Sequence, residues 1–179
     1  MHRCFSAIFW RGLKEWFQDK DNQKFIVYKK ESLLYGIYIM KNPDFKQLFE
    51  AVKTIAIIGL SNKPERPSYL VAEYLKKKGF RIIPVNPVIK ESLGEKSYPS
   101  LKEIQEPVDA VDVFRKSEYV AEIMTQAINI GAKVVWLQEG VINDQAAQKG
   151  RSAGLTVVMD RCMMKEHKKL FKRGETDEV

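Results

Sequence analysis

The chain has 179 residues, a length that suits one compact domain with a short appendage. Hydrophobic residues make up 45% of it and charged residues 30%, which excludes collagen-like, low-complexity and disordered proteins. The net charge of +7 favours an anionic partner, but it is too evenly spread for a nucleic-acid surface, so we expect no nucleic-acid partner.

Two cysteines, Cys4 and Cys162, are too few for a disulfide framework or a structural zinc site. A reducing compartment is then the default, and we expect the protein to be cytoplasmic. An apolar run follows Cys4, but Arg11, Lys14 and Glu15 interrupt it well short of the roughly 18 apolar residues that a membrane-spanning helix needs. No transmembrane segment is therefore predicted.

The first 40 residues differ in pattern from the rest of the chain. The aromatic and aliphatic residues from Cys4 to Phe17 fit an amphipathic helix, whereas residues 20–40 show no clear caps or turns. Met40 then opens a stretch with the pattern of a self-sufficient domain. We predict an N-terminal appendage of uncertain status over residues 1–40 and a single domain over residues 41–179. One hypothesis is that the appendage is translated from a misassigned start codon.

After Met40, continuous apolar runs alternate with helically spaced apolar residues. The runs are typical of strands buried on both faces, and the helical stretches begin at Ser, Asn or Asp and often end at Gly. In chain order the pattern predicts a helix at 44–51, a strand at 53–60, a helix at 68–78, strands at 81–85 and 94–98, a helical turn at 101–104, a strand at 110–114, a helix at 117–130, a strand at 133–137, a helix at 143–153, a strand at 155–159 and a helix at 163–171.

Such alternation predicts a parallel sheet with right-handed crossovers. We therefore expect an α/β fold with a Rossmann-like, doubly wound parallel sheet in a single domain. Counted from residue 53, the expected strand order is 3-2-1-4-5-6. Ligands of such sheets bind beyond the carboxyl ends of the strands at the switch point, here between the strands at 53–60 and 110–114.

The turn after the first of these strands is rich in groups that bind phosphate. Within ten residues it holds Gly59, Ser61, Lys63, Arg66 and Ser68, and it leads into a helix N-terminus, where free N–H groups favour an anion. The turn lacks the second and third glycines of the dinucleotide fingerprint. A plain turn with solvated charges is the alternative.

Asn86 and Pro87 follow the second strand, close to where the dinucleotide fingerprint requires an acidic residue for the ribose. An uncharged Asn tolerates a phosphorylated ribose that a carboxylate would repel. Plain NAD is therefore disfavoured, and NADP and coenzyme A both remain.

Five motifs in order carry a resemblance to a known family. They are IAIIGLSNKPERPSY, RIIPVNP, VDAVDVFRKSE, GAKVVWLQEGV and AGLTVVMDRCMMKEH. From about Lys53 to Leu170 the chain resembles the coenzyme A-binding Rossmann-fold proteins related to the N-terminal domain of the succinyl-CoA synthetase α subunit. The resemblance implies that the ligand is coenzyme A or an acyl-CoA.

The resemblance also implies where the parts of that ligand lie. The loop from Gly59 to Ser68 would hold the diphosphate, and Asn86 and Pro87 would line the adenosine pocket. The remaining predicted contacts follow the fourth and fifth strands, and they are Phe114 and Arg115 across the cleft and Trp136, Gln138, Glu139 and Gly140 along the pantetheine arm.

Two of these residues have simpler interpretations. Arg115 would meet a phosphate or an acyl carboxylate by bidentate pairing, but a surface salt bridge with Glu118 is the alternative. Trp136 lies within an apolar strand, so core packing is as well supported as ligand contact.

Candidates for catalysis are few. His2 lies in the appendage and His167 in the closing helix, and the phosphorylated histidine of the synthetase α subunit belongs to a downstream domain for which this chain has no room. Cys162 beside Lys165 would make a reactive thiolate, but a packed small hydrophobe is favoured. We predict no catalytic and no metal-binding residues.

The sequence therefore predicts a small cytoplasmic protein that binds coenzyme A or an acyl-CoA and acts as a sensor, carrier or partner subunit. A homo-oligomer and a complex with another protein both fit this prediction. The alternatives are an NADP-dependent enzyme and an interaction protein with a vestigial nucleotide site.

Overall fold

The computed structural model describes residues 14–18, 24–28 and 44–171, and the chain divides into two units, residues 1–42 and 43–179. In the first unit, β1 (Lys14–Gln18) and β2 (Lys24–Tyr28) pair as antiparallel strands. The predicted helix from Cys4 to Phe17 is therefore wrong for residues 14–17, where aromatic residues favour a strand. Its earlier part lies outside the described residues, and the status of residues 1–40 as an appendage stays a prediction.

The second unit alternates helices and strands in the predicted order. Its helices are α1 (Phe45–Ala51), α2 (Pro67–Lys77), α3 (Val120–Asn129), α4 (Asp144–Ser152) and α5 (Met163–Phe171), with 3-10 turns at Leu101–Glu103 and Ser117–Tyr119. Its strands are β3 (Thr54–Ile58), β4 (Arg81–Val85), β5 (Glu91–Ser92), β6 (Glu95–Lys96), β7 (Ala110–Val113), β8 (Val134–Leu137) and β9 (Thr156–Val158). Over the described residues, no helix has the length and apolar character to span a bilayer.

A five-stranded parallel sheet in the order β4-β3-β7-β8-β9 forms the centre of this unit. The predicted Rossmann-like α/β fold is confirmed, and so is the predicted order of these five strands. The strand expected at 94–98 is much reduced. Leu93 and Gly94 both have positive φ angles, so the chain turns back in the short antiparallel pair β5–β6.

What remains of the third predicted strand lies where the predicted order places it. A single parallel bridge joins Tyr98 to Val85 at the outer edge of β4. The same edge carries an ion-pair cluster, in which Arg81 contacts Glu106 at 2.8 Å and Glu95 at 3.1 Å. Residues 95–98 and this cluster therefore cover the edge of β4.

Helices cover both faces of the sheet, as its strand sequences require. Alternate residues of β7 and β8, such as Val111 and Val135, pack with Met124 of α3 and Ala147 of α4. The opposite face packs against α1, α2 and α5, with Ile55, Ile57, Leu75, Trp136 and Met163 among its fully buried side chains. Because both faces are buried, β3, β7 and β8 carry almost continuous apolar sequences.

Side-chain caps begin two of the helices as the sequence predicts. Asp44 accepts hydrogen bonds from the backbone N–H groups of Lys46 and Gln47, and Asn143 accepts one from Ala146 at 2.9 Å. The sequence predicted that α3 begins at Ser117, but Ser117 does not cap this helix. It begins a 3-10 turn, and its hydroxyl oxygen accepts from the Ile142 N–H at 3.0 Å.

Replacement of the cap of α4 tests its contribution to stability. Asn143→Ala should lower the free energy of unfolding by about 1 kcal/mol, because the Ala146 N–H loses its acceptor. Gln145→Ala, at an exposed position in the first turn of the same helix, is the matched control. Urea unfolding followed by circular dichroism measures both, and equal losses would contradict the capping role.

Candidate functional site

The sites predicted from the sequence follow the strands of the sheet at one edge. Because all five strands are parallel, the segments after β3, β4, β7 and β8 leave the sheet on the same side. The structure therefore brings together the loop at 59–68 and the residues at 86–87, 114–115 and 138–140. Trp136 is the exception, since it lies within β8.

At the switch point, the backbones after β3 and β7 come unusually close. Gly59 has φ +80°, and a Cβ atom there would lie 2.5 Å from the carbonyl oxygen of Phe114 and 3.1 Å from Cδ of Arg115. The Gly59 N–H donates to the Val85 carbonyl at 2.9 Å, which ties the turn to β4 on the other side. Only glycine fits both the φ angle and the space.

The loop after Gly59 is held by its own serines. The Ser61 N–H donates to the Ser68 hydroxyl at 3.1 Å, and the Lys63 N–H donates to the Ser61 hydroxyl at 3.1 Å. The Ser92 hydroxyl donates to the Ser61 carbonyl at 2.9 Å. The loop is therefore fixed by contacts within itself and to β5, and Ser61 and Ser68 have a structural role in it.

Several positively charged or hydrogen-bond-donating groups of this loop have no partner among the residues that the structure describes. Lys63 and Arg66 are exposed, and within the described ranges no carboxylate lies within 4.0 Å of either. The backbone N–H groups of Asn62 and Ser68 likewise have no acceptor in the described part of the chain. Two cations and two free amides within seven residues make a favourable site for an anion.

Asn86 connects the second loop to the first. Its side-chain amide donates to the Leu60 carbonyl at 2.9 Å, and its side-chain oxygen accepts from the Val88 N–H at 3.0 Å. Pro87 and Val88 lie beyond it and are exposed, Val88 to 87%. An apolar surface thus lies next to the anion-favouring loop.

Arg115 lies across the switch point from that loop. Its guanidinium stacks 4.9 Å from the centre of the Tyr119 ring. The alternative salt bridge with Glu118 does not form, and in residues 44–171 no carboxylate lies within 4.0 Å of Arg115. The half-buried Phe114 donates its N–H to the Ile58 carbonyl at 2.9 Å. Arg115 therefore keeps an unpaired charge at this edge.

Trp136 is part of the core. It is fully buried, its indole N–H donates to the Arg161 carbonyl at 2.6 Å, and its ring packs against Phe45 and Phe49 with centroids 5.3 and 5.7 Å away. Of the two interpretations of this residue, the contacts favour packing. A contact between Trp136 and a ligand stays a prediction, and its burial does not support it.

Gln138 and Gly140 begin the loop after β8. Gln138 is buried and donates its side-chain amide to Oδ1 of Asp112 at 2.7 Å. Gly140 is exposed and donates its N–H to Oδ1 of Asp160 at 2.8 Å, while Glu139 pairs with Lys165 at 2.8 Å. The loop is therefore held from the core by Gln138 and from the surface by the other two.

Asp112 is the residue that the sequence analysis missed. It is fully buried in β7, and its Oδ2 atom has no hydrogen-bond partner in the described part of the chain. Burial raises the pKa of its carboxyl to about 7, and the hydrogen bond from Gln138 offsets part of that effect. The signal was an acidic residue inside a strand that was predicted to be buried on both faces.

Of the groups considered for catalysis, His167 and Cys162 lie in the core, and His2 lies outside the described residues. His167 is bonded through Nδ1 to the Tyr74 hydroxyl at 2.9 Å and stacks on Phe171, and burial lowers its pKa. Cys162 is buried. Across the described ranges, no three acidic, histidine or cysteine side chains form a group that could hold a metal ion.

Comparisons with known proteins agree with this fold. Residues 53–168 match the sequence profile of a CoA binding domain. The uncharacterized protein YneT of Bacillus subtilis is 41% identical over 131 residues, which are 72% of this chain and 97% of that protein. A solved structure of a hypothetical protein from Pyrococcus horikoshii is 40% identical, with a TM-score of 0.70 over 78% of this chain and 99% of the other.

A larger enzyme also shares part of the sequence. The ADP-forming acetate–CoA ligase II of Archaeoglobus fulgidus is 34% identical over 93 residues. These residues are 51% of this chain but only 14% of the ligase. The similarity therefore concerns one part of that enzyme.

The close contact at Gly59 can be tested by substitution. Gly59→Ala should destabilise the fold by about 1–3 kcal/mol more than Gly131→Ala. Both substitutions place an alanine at an unfavourable positive φ, but only at position 59 does the new Cβ atom also clash with the Phe114 carbonyl oxygen. Gly131 has φ +72° and open space around it, so it controls for the φ angle alone. Urea unfolding measures both, and equal losses would show that the two backbones can move apart at no cost.

The buried carboxyl of Asp112 predicts a pH-dependent stability. Its folded pKa lies above that of the unfolded chain, so its stabilising effect is complete at low pH and is lost as pH rises to about 7. Asp112→Asn should therefore gain stability relative to wild type between pH 5 and pH 8, by about 2–3 kcal/mol, because each pKa unit is worth about 1.4 kcal/mol and the loss below pH 5 has already occurred. Unfolding in urea at intervals of pH measures this, and a pH-independent difference would contradict the shift.

Proposed function

The chain belongs to the CoA-binding domain family, and on this premise we propose that it binds coenzyme A or an acyl-CoA at the carboxyl edge of its sheet. The observation that carries the proposal is the loop after β3, which is fixed by its serines and leaves two cations and two amides unpaired. A diphosphate is the part of the ligand that these groups suit. Arg115, across the switch point, adds a third unpaired cation.

We propose positions along the same edge for the other parts of the ligand. We assign the adenosine to the segment of Asn86 and Pro87. Asn86 is uncharged, so this segment would tolerate a phosphate on the ribose that a carboxylate would repel. The pantetheine arm would pass Phe114 and reach the loop with Gln138 and Gly140. Trp136 is buried in the core, and a direct contact with this arm stays a prediction that its burial does not support.

We propose a binding role without catalysis, as a sensor, carrier or partner subunit. The two groups most suited to chemistry support this view, because His167 is bonded to Tyr74 and Cys162 is buried in the core. The acetate–CoA ligase of Archaeoglobus shares only the part that corresponds to this domain. We also propose a cytoplasmic location, where the unpaired Cys162 stays reduced.

Titration with a ligand series tests the binding proposal. Isothermal titration and thermal shift with coenzyme A, acetyl-CoA, dephospho-CoA, NADP and NAD should show binding of the two CoA compounds, with stabilisation of about 2.7 kcal/mol at 100 times the dissociation constant. Dephospho-CoA lacks the ribose phosphate and isolates its contribution. No binding of either CoA compound would overturn the proposal, and a preference for NADP would support the alternative of an NADP-dependent enzyme.

Variants of the loop test where the ligand binds. Lys63→Ala and Arg66→Ala should each weaken coenzyme A binding about tenfold, since each removes a charge-assisted contact of roughly 1.5 kcal/mol. Lys46→Ala is the control, because this exposed lysine lies on α1, beside the amino ends of β8 and β9. Unchanged affinity in both loop variants would exclude the loop from the site.

A further inference from the structure

The buried carboxyl beneath the proposed ligand edge has no role in the function described so far. We propose that Asp112 is a positioning residue, which holds Gln138 and the loop at 138–141, and that its protonation state sets the affinity of this edge for a polyanionic ligand. The identity of the ligand rests on the proposed function. The positioning role rests on contacts of the protein alone.

Asp112 is placed close to the carboxyl edge by the register of the sheet. It lies opposite Ile57 of β3 and Trp136 of β8, two residues before Phe114. Its neighbours in β7, Val111 and Val113, face α3 and α4, so by alternation Asp112 faces the layer of α1, α2 and α5. A carboxyl in this position lies directly beneath the switch point.

A chain of hydrogen bonds connects this carboxyl to the surface loop. Oδ1 of Asp112 accepts from the Gln138 side chain at 2.7 Å, and the Gln138 carbonyl accepts from the Val141 N–H at 2.9 Å. Gly140 lies between Gln138 and Val141 in the chain, and its N–H donates to Oδ1 of Asp160 at 2.8 Å. The position of Gln138 therefore governs the turn that we assign to the pantetheine arm.

Within residues 44–171, no cationic side chain lies within 4.0 Å of the Asp112 carboxyl. The titratable and charged groups of the same layer lie on α2 and in or just before α5, and they are Tyr74, Arg161, Cys162, Glu166 and His167. Glu166 is paired with Lys169 at 2.8 Å and with Arg161 at 3.5 Å. On the facing parts of α1, β3 and β8 the buried side chains are apolar. The ionised form would leave Oδ2 charged and without a donor among these residues, whereas Oδ1 would accept more strongly from Gln138. The strength of the hydrogen bond that holds Gln138 and its loop therefore changes when Asp112 ionises.

A bound polyanion adds to this effect. Negative phosphates at the loop after β3 disfavour a second negative charge beneath it, so the complex should hold the proton on Asp112 more tightly than the free protein. Binding then takes up a proton, and affinity falls as pH rises above the pKa of about 7. Asp112→Asn, which cannot ionise, should lose this dependence.

The positioning role is tested first without ligand. In a pH titration followed by NMR, the side-chain amide of Gln138 and the backbone amides of Gly140 and Val141 should shift together, with one midpoint near that of the Asp112 carboxyl carbon. In Asp112→Asn these shifts should disappear. Signals of Gln138 and the loop that stay constant while Asp112 titrates would overturn the inference.

The effect on affinity is measured with coenzyme A at pH 6.5 and pH 8.0. The ratio of the two dissociation constants should be about tenfold larger for wild type than for Asp112→Asn, close to the limit for one proton taken up near pH 7. This comparison cancels the titration of coenzyme A itself. Asp44→Asn, which removes a carboxylate but keeps the cap of α1, should behave as wild type.

The outcomes separate this inference from the function on which it rests. Coenzyme A binding with the same pH ratio in wild type and Asp112→Asn would leave the proposed function intact and overturn the inference. If coenzyme A binds at neither pH, the proposed function is overturned. The positioning role is still supported if the NMR signals of Gln138 and its loop shift with the ionisation of Asp112.

Discussion

The arrangement of the domain depends on the close approach of two backbones at the switch point of the sheet. Gly59, after β3, leaves no space for a side chain against the Phe114 carbonyl oxygen after β7. This contact fixes the distance between the two loops, which leave the same end of the sheet and lead to helices on opposite faces. The cations on either side, Lys63 and Arg66 on one loop and Arg115 on the other, are positioned by it and face a common edge.

Two kinds of polar group lie near this edge, and they differ in how well they are satisfied. The loop after β3 is held by hydrogen bonds of Ser61 and Ser68 within it and by one from Ser92 of β5, so protein contacts alone define its shape. Asp112 lies in β7, two residues before Phe114, and among the described residues only one of its two carboxyl oxygens has a hydrogen-bond partner. The first arrangement provides a rigid site, and the second makes the neighbouring loop sensitive to charge.

Much of the fold could be predicted because its strands are buried on both faces. Uninterrupted apolar runs located β3, β4, β7 and β8, and parallel connectivity then placed the loop residues at one edge. Local turn geometry was less accessible, since the residues at 94–98 look like a strand until the positive φ of Leu93 turns the chain back. Ser117 looks like a cap, but a distant loop takes up its hydroxyl.

Side-chain roles were harder to predict than positions. Trp136 was assigned to a ligand as readily as to the core, because an apolar strand does not show which face its aromatic residue packs against. Asp112 was missed, since its partner Gln138 comes 26 residues later and only the register of β7 and β8 brings them together. The residues of the edge were identifiable from sequence, whereas the network beneath them required the fold.

The two edge strands of the sheet, β4 and β9, also restrict how other proteins can recognise the domain. β4 is covered on its outer side by residues 95–98 and by the ion pairs of Arg81, and β9 has only three residues. Neither strand presents a long row of free backbone groups to which another chain could add a strand. Fibrous self-association through the sheet is thereby disfavoured, and a partner has to recognise helices and loops, whose side chains carry the specificity.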